Sequence, residues 1–208
     1  MHPLSRWRTI LATVAVMVGL AVVGGLIFIY SGAFNVAATV PHTRPALWIL
    51  HKTRDRSIKV HAAGITPPPG LNDKAKVVMG AEHFATHCAV CHGAPGVPRG
   101  EIGEGLYPQP PNLAHGAMHH TPGELFWILK HGIKMTGMPS WADHSDDELW
   151  ALVAFLEKLP GTTKQEYAKL VAEGRAQYPH HPEGNGMEPS MGMMHAPAGS
   201  NRDRTDRY

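Results

Sequence analysis

Cysteine is nearly absent from this chain, and the two residues that supply it stand close together. The 208 residues include two cysteines, against 15 histidines and 10 methionines. Two cysteines are too few for the disulfide framework of a small secreted scaffold, and too few for the two ligand pairs of a usual structural zinc site. Whatever chemistry cysteine provides is therefore confined to one point, Cys88 and Cys91.

Net charge is also small, with a formal value of +2. No Arg- or Lys-rich stripe with interleaved aromatic residues is present, which argues against a nucleic-acid-binding function. Ser-His-Asp spacing, a glycine loop that would cradle phosphate and a flavin fingerprint are all missing. These absences favour a protein that is not itself an enzyme.

Charge is missing altogether from Thr9 to Tyr30, a stretch that also lacks proline. As a helix it would span about 33 Å, enough to cross a hydrocarbon core of about 30 Å. Arg6 and Arg8 precede the run, and the next basic residue is Arg44. By the positive-inside tendency, residues 1–8 are cytoplasmic and the remainder is exported. We predict a single transmembrane anchor over residues 9–30 in a bacterial-type inner membrane, with the rest on the periplasmic side.

A cleaved signal peptide is the competing interpretation of this stretch. The small residues at Val36, Ala37 and Ala38 would suit a signal peptidase. The apolar run is longer than the 7–15 residues usual in a signal peptide, which favours a retained anchor. Both interpretations export the rest of the chain.

Prolines interrupt residues 31–71, which we interpret as a connector. Residues 46–61 fit a short amphipathic helix with several basic side chains. This helix either rests on anionic lipid headgroups or is a solvated linker helix.

Residues 72–160 have the pattern of a compact all-α domain. Apolar residues at near-helical spacing precede Cys88, and two later helices begin at capping boxes, Thr121 with Glu124 and Ser145 with Glu148. The intervening segments are rich in Gly and Pro, and no convincing strand pattern occurs. Because so small a domain with long loops has a thin apolar core, a buried cofactor would complete it.

Residues 161–208 are predicted to form one short helix, 163–173, followed by a disordered tail. The tail is enriched in histidine and methionine, which suit Cu(I). Those side chains are His180, His181, Met187, Met191, Met193, Met194 and His195. A copper-binding role and a chance enrichment are both open for this tail.

Cys88–His92 reads C-A-V-C-H, the attachment pattern of a c-type haem. The two thiols add to the haem vinyl groups as thioethers, and the adjacent histidine binds the iron. A thioredoxin-like redox pair would lie beside a βαβ pattern, which is absent, and a disulfide here would close too short a loop to stabilise much. We predict one covalent haem c, held by Cys88 and Cys91 with His92 as iron ligand.

The second axial ligand is predicted to come from GIKMTGMPSW, which offers Met135 and Met138. Pro139 disfavours helix at Met138, and Gly137 frees the backbone before it, so Met138 can project from a loop. We therefore predict Met138 as the ligand. The alternatives are Met135, an open position, or a histidine from the set His115, His119, His120 and His131.

These motifs resemble the class I cytochrome c family over about residues 72–160. Gly80 and Phe84, four residues apart, are similar to the family's Gly-x-x-x-aromatic element, and the resemblance implies that Phe155 packs near Gly80. The PPNL run resembles the family's loop in which a proline carbonyl accepts the Nδ1 hydrogen bond of the axial histidine, which would be Pro111. The T-G-M-P-x-W run resembles the methionine loop and implies that Trp141 lies against the haem edge.

The predicted function is single-electron transport in a periplasmic respiratory chain, by a carrier whose iron has His/Met ligation. Expected partners are the lipid bilayer and redox proteins such as a quinol–cytochrome c reductase, a dehydrogenase or a terminal oxidase. One alternative is a permanent electron-relay subunit of a membrane dehydrogenase or oxidase complex. Another is a peroxidase or gas-binding protein with an open iron.

Overall fold

Helices dominate the computed structural model, which describes residues 3–116 and 119–178. The helices are α1 Pro3–Tyr30, α2 Arg44–His61, α3 Lys74–His83, α4 Ala89–His92, α5 Glu101–Gly105, α6 Leu113–Gly116, α7 Pro122–His131, α8 Asp146–Lys158 and α9 Lys164–Gln177. A π-helical turn, Phe84–Cys88, joins α3 to α4. Within the described ranges there is no β-strand, and the isolated bridge there joins Ala94 to Val97. The predicted all-α class is confirmed.

Helix α1 carries the long apolar run. From Arg6 to Tyr30 it is long and apolar enough to cross a membrane, and its side chains are exposed along that length. After α1 the chain runs through an irregular segment with turns, residues 31–43. This segment contacts the rest of the protein at His42, whose backbone N–H donates to the Tyr107 hydroxyl at 2.8 Å.

The core lies where α3 crosses α8. Helix packing is closest at Gly80, where an added Cβ would overlap the Ala151 carbonyl and would lie 2.9 Å from Phe155 Cβ. Next to this crossing, the fully buried rings of Phe84 and Phe155 lie 5.2 Å apart between centroids. Phe155 thus packs near Gly80, as the family resemblance implied.

Helix α9 covers the same core from another side. Tyr167 is buried with its ring 6.4 Å from Phe84 and 6.0 Å from Phe155. Gly174 lets α9 approach α3, since a Cβ there would lie 2.7 Å from the Val78 carbonyl oxygen. The short helix predicted over 163–173 is present, runs on to residue 177, and contributes buried side chains to the domain.

Helix α2 packs against α7. Its Ile58 and the following Ala62 are buried, and the rings of His61 and Trp127 lie 5.7 Å apart. Gly123 at the start of α7 meets the Ile65 backbone so closely that a Cβ would overlap it. Residues that we expected only to connect the anchor to the domain therefore also pack against it.

Three helices begin at capping boxes, each with a hydroxyl residue and a glutamate three positions on. The pairs are Thr121–Glu124, Ser145–Glu148 and Thr163–Glu166. In each, the hydroxyl accepts the glutamate N–H while the glutamate carboxylate accepts the N–H of the hydroxyl residue. The two boxes predicted from the sequence are confirmed, and the third fixes the start of α9. The histidine- and methionine-rich tail lies outside the described residues.

Candidate functional site

The C-x-x-C-H motif spans the end of the π-helical turn and all of α4. Cys88 closes the π turn and is buried, while Cys91 and His92 are half-buried on α4. Gly103 of α5 packs on this segment, and a Cβ there would lie 2.6 Å from the Cys91 carbonyl oxygen. Helix α5 therefore packs against the C-x-x-C-H motif at a distance that only glycine permits.

The Cys88 thiol is strongly biased toward its neutral form. Burial, with a smaller contribution from Cys91, raises the pKa of Cys88 to about 12. At neutral pH this thiol is protonated and lacks the thiolate that exchange with a disulfide requires. A thioether would place no charge in this buried position, so the environment of Cys88 suits covalent attachment better than disulfide redox chemistry.

His92 is oriented by one hydrogen bond. Its Nδ1 donates to the Pro111 carbonyl oxygen at 2.8 Å, which leaves Nε2 as the nitrogen with a free lone pair. Burial lowers the pKa of His92 and the charge of Arg99 lowers it further, against the hydrogen bond to Pro111, which raises it. The neutral ring with Nδ1–H is the form of imidazole that binds a metal through Nε2.

Met138 lies in a loop that is pinned back onto the end of α7. The Ile133 N–H donates to the Met138 carbonyl at 3.2 Å, and the Thr136 hydroxyl donates to the Ile133 carbonyl at 2.7 Å. The Met138 N–H in turn donates to the Thr136 hydroxyl oxygen at 3.1 Å. Gly132, with a φ of 65°, makes the turn that brings the loop back. The Met138 side chain is half-buried against the apolar core that also contains Cys88.

The other side chains considered as the second axial ligand are less well placed. Met135 is 89% exposed. His120 holds the Glu124 carboxylate through Nδ1 at 3.0 Å, and the His131 ring packs 5.0 Å from that of Trp127. His119 is exposed, and the side chain of His115 lies outside the described residues. The loop geometry favours Met138.

Trp141 follows the methionine loop and is fixed by its backbone N–H, which donates to the Leu129 carbonyl at 3.1 Å. Its ring lies 5.1 Å from that of His87 and 5.3 Å from that of His144. Trp141 therefore contacts two imidazoles, and its half-buried side chain also packs against the apolar core.

Two features of this region were not predicted from the sequence. One is Thr136, which holds the methionine loop in place. The other is a cluster of three histidines, His83, His87 and His144, each of which offers one ring nitrogen within 4.8 Å of those of the other two. The spacing of His83 and His87, four apart on a predicted helix, was a signal that two of them share a face. No comparable signal in the sequence indicated that His144, which lies in the loop before α8, would join them.

The residues present fit a covalent haem. Two cysteines sit at i and i+3 on a helical segment, one of them in a buried site that disfavours a charged sulfur. A histidine directly after them presents Nε2, and a methionine packs against the same apolar core. This donor set, one nitrogen and one thioether beside two thiols, matches the requirements of a c-type haem.

Among known protein families, the one described as cytochrome C oxidase, cbb3-type, subunit III matches residues 75–156. No curated protein matches the sequence. The matched range begins in α3 and ends in α8, and so contains the C-x-x-C-H motif, the Pro111 loop and the methionine loop.

Proposed function

We propose that residues 75–156, which match a family of c-type cytochrome domains, form a single-electron carrier with one covalent haem c. The family match indicates haem-based electron transfer. The proposal of one haem is supported by the sequence, whose two cysteines provide one C-x-x-C-H motif. The observation that carries the proposal is the hydrogen bond from His92 Nδ1 to Pro111, which presents Nε2 to a metal.

In this proposal Cys88 and Cys91 would attach the cofactor, and His92 and Met138 would bind its iron. The haem supplies a centre that cycles between Fe(II) and Fe(III). The chain supplies the rest: Pro111 fixes the tautomer and direction of His92, and the pinned loop holds the Met138 thioether on the core side. A thioether ligand favours the reduced state and gives a relatively high potential.

With both His92 and Met138 bound to the iron, the proposed protein would act as a carrier and not as an enzyme. These two side chains would leave no place for a substrate on the iron, so the haem would supply only electron exchange with a partner. Ligands that stay the same in both oxidation states keep reorganisation small, which favours fast transfer.

We further propose that α1 anchors the carrier in a bacterial inner membrane with the cytochrome domain on the periplasmic side. The length and apolar character of α1 support the anchor. The basic residues Arg6 and Arg8 before the apolar run support the orientation. Such an anchor confines the haem near the membrane complexes that exchange electrons with it. Quinol–cytochrome c reductases, dehydrogenases and terminal oxidases are the partner classes expected.

A second candidate is a permanent electron-relay subunit of a respiratory oxidase complex. It uses the same haem chemistry and differs in the lifetime of the association. The match of residues 75–156 to an oxidase subunit family favours it. The histidine- and methionine-rich tail, for which copper binding was considered, lies outside the described residues and adds nothing to either candidate.

The chemistry is tested by a redox titration of the purified full chain, followed by its absorption spectrum. We expect one haem per chain, a one-electron transition, low-spin spectra in both states and no reaction of the reduced protein with carbon monoxide. High-spin bands or rapid carbon monoxide binding would support the open-iron alternative instead.

The lifetime of the association is tested by gentle solubilisation of native membranes and measurement of the mass of the haem-containing species. A species of monomer size supports the free carrier. Co-migration of all the haem with an oxidase or dehydrogenase supports the relay subunit.

A further inference from the structure

Three histidines meet beside the C-x-x-C-H motif. His83 ends α3, His87 lies in the π-helical turn, and His144 precedes the first residue of the α8 capping box. Their ring centroids are separated by 6.0 Å between His83 and His87, 5.9 Å between His83 and His144, and 5.4 Å between His87 and His144. The three rings therefore form a triangle, and each offers a nitrogen within 4.8 Å of the other two.

We propose that His83, His87 and His144 form a binding site for a divalent first-row cation, with Zn²⁺ as the representative ion. Imidazole nitrogen is a preferred ligand of Zn²⁺, and three protein ligands with an open fourth position are a common arrangement for it. In tetrahedral zinc the ligand nitrogens lie about 3.3 Å apart. The three nitrogens, now within 4.8 Å of one another, therefore need to approach by about 1.5 Å. Rotation of the side chains can provide this movement.

The Glu148 carboxylate lies close enough to the histidines to provide a fourth ligand to the cation. Glu148 Oε1 lies 3.8 Å from His83 Nε2. Its other oxygen, Oε2, accepts hydrogen bonds from the backbone N–H and the hydroxyl of Ser145, both at 2.8 Å. The capping box thus holds the Glu148 side chain while one oxygen remains directed to the histidines.

The backbone supports the same conclusion. His83 and His87 are four residues apart, and in a helix this spacing brings side chains to one face. They straddle the start of a π-helical turn, a feature that occurs frequently at functional sites. Trp141 packs against His87 and His144 and limits the directions in which the two rings can turn.

A cation here would join two segments that are distant in sequence. His87 directly precedes Cys88, and His144 lies six residues after Met138. Binding would therefore tie the helix of the C-x-x-C-H motif to the end of the methionine loop. The site itself uses no haem ligand, so it can be tested separately from the proposed electron transfer.

The test is isothermal titration of the full-length holoprotein with ZnCl₂, with MgCl₂ as a cation that prefers oxygen ligands. We expect one Zn²⁺ site, no Mg²⁺ binding, and a melting temperature that rises with Zn²⁺. His83→Gln, His87→Gln and His144→Gln should each weaken Zn²⁺ binding about tenfold or more.

Two controls separate this site from other histidines. His51→Gln changes an exposed histidine of α2 and should leave Zn²⁺ affinity unchanged. A variant with His180, His181 and His195 all changed to Gln reports on the tail. Circular dichroism and the haem spectrum of each variant show whether it is folded.

Unchanged Zn²⁺ affinity in folded His87→Gln and His144→Gln proteins would overturn the proposal. So would loss of binding in the tail variant alone, because the tail would then be the site. If the holoprotein binds Zn²⁺ as expected but its spectra show a high-spin iron that binds carbon monoxide, the cation site stands and the carrier proposal fails.

Discussion

His92 and Met138 contribute to the proposed haem site through different kinds of support. The histidine is adjacent to the cysteines in sequence, and a carbonyl from a remote loop, that of Pro111, sets its direction. The methionine depends on its own loop. There the Thr136 hydroxyl donates to the Ile133 carbonyl and accepts a hydrogen bond from the Met138 N–H. Removing either support is expected to change the axial ligands without removing the covalent haem.

The choice of Met138 is tested directly by Met138→Ala. We expect the oxidised protein to lose its sulfur-to-iron charge-transfer band, the reduced iron to bind carbon monoxide, and the midpoint potential to fall. Absorption spectra and a redox titration measure these changes. Met135→Ala is the matched control, since Met135 is 89% exposed, and should behave as the unaltered protein. A charge-transfer band that survives in Met138→Ala would show that another residue binds the iron.

The starts of some helices could be predicted from the sequence, whereas the way the helices pack could not. Thr121 and Ser145 mark helix starts because the capping box is a local signal between residues three apart. The π-helical turn Phe84–Cys88 has no comparable signal. The packing of Tyr167 onto Phe84 was also unreadable, because it depends on where α9 lies after a turn at Gly161.

The crossing of α3 and α8 should depend on Gly80. We expect Gly80→Ala to lower the free energy of unfolding by about 2 kcal/mol or more, because the new Cβ would overlap the Ala151 backbone. Denaturant titration of the holoprotein measures the change. Gly105→Ala on α5 is the control, since no atom lies within 4 Å of its added Cβ. It should change stability by less than about 1 kcal/mol. Equal effects of the two substitutions would contradict this account of the crossing.

Helix α9 should be part of the cooperative unit although it lies outside the matched family range. Tyr167→Ala removes a buried ring that packs beside both Phe84 and Phe155 and should cost about 3 kcal/mol of unfolding free energy. Lys169→Ala changes an exposed position on the same helix and should have little effect. A change of less than about 0.5 kcal/mol for Tyr167→Ala would mean that α9 unfolds independently of the domain.

Across the whole molecule, the sequence predicted the parts that depend on near neighbours. The C-x-x-C-H motif, the all-α class and the apolar run of α1 each occupy one short stretch of chain. The burial of Ile58 against the domain, and the meeting of His144 with His83 and His87, join residues far apart in sequence. No periodicity reports such contacts, so they emerged only from the three-dimensional structure.

The orientation of the chain in the membrane gives a prediction at this scale. In spheroplasts, added protease should digest the cytochrome domain, because the proposed anchor would leave that domain on the periplasmic face. Alkaline carbonate should not release the haem protein from membranes. A variant that lacks residues 1–30 and is exported by a cleavable signal should instead be recovered in the soluble fraction. A domain protected from protease in intact spheroplasts would reverse the proposed orientation.

The central claim, a haem bonded covalently to Cys88 and Cys91, is tested most directly by mass spectrometry of the full chain after acid–acetone extraction. Acid–acetone removes haem that is held only by axial ligands and packing. The account predicts that the polypeptide stays red, gains the mass of one haem, and has no thiol available to alkylating reagents. A colourless polypeptide with two free thiols, obtained from cells able to mature c-type cytochromes, would contradict it.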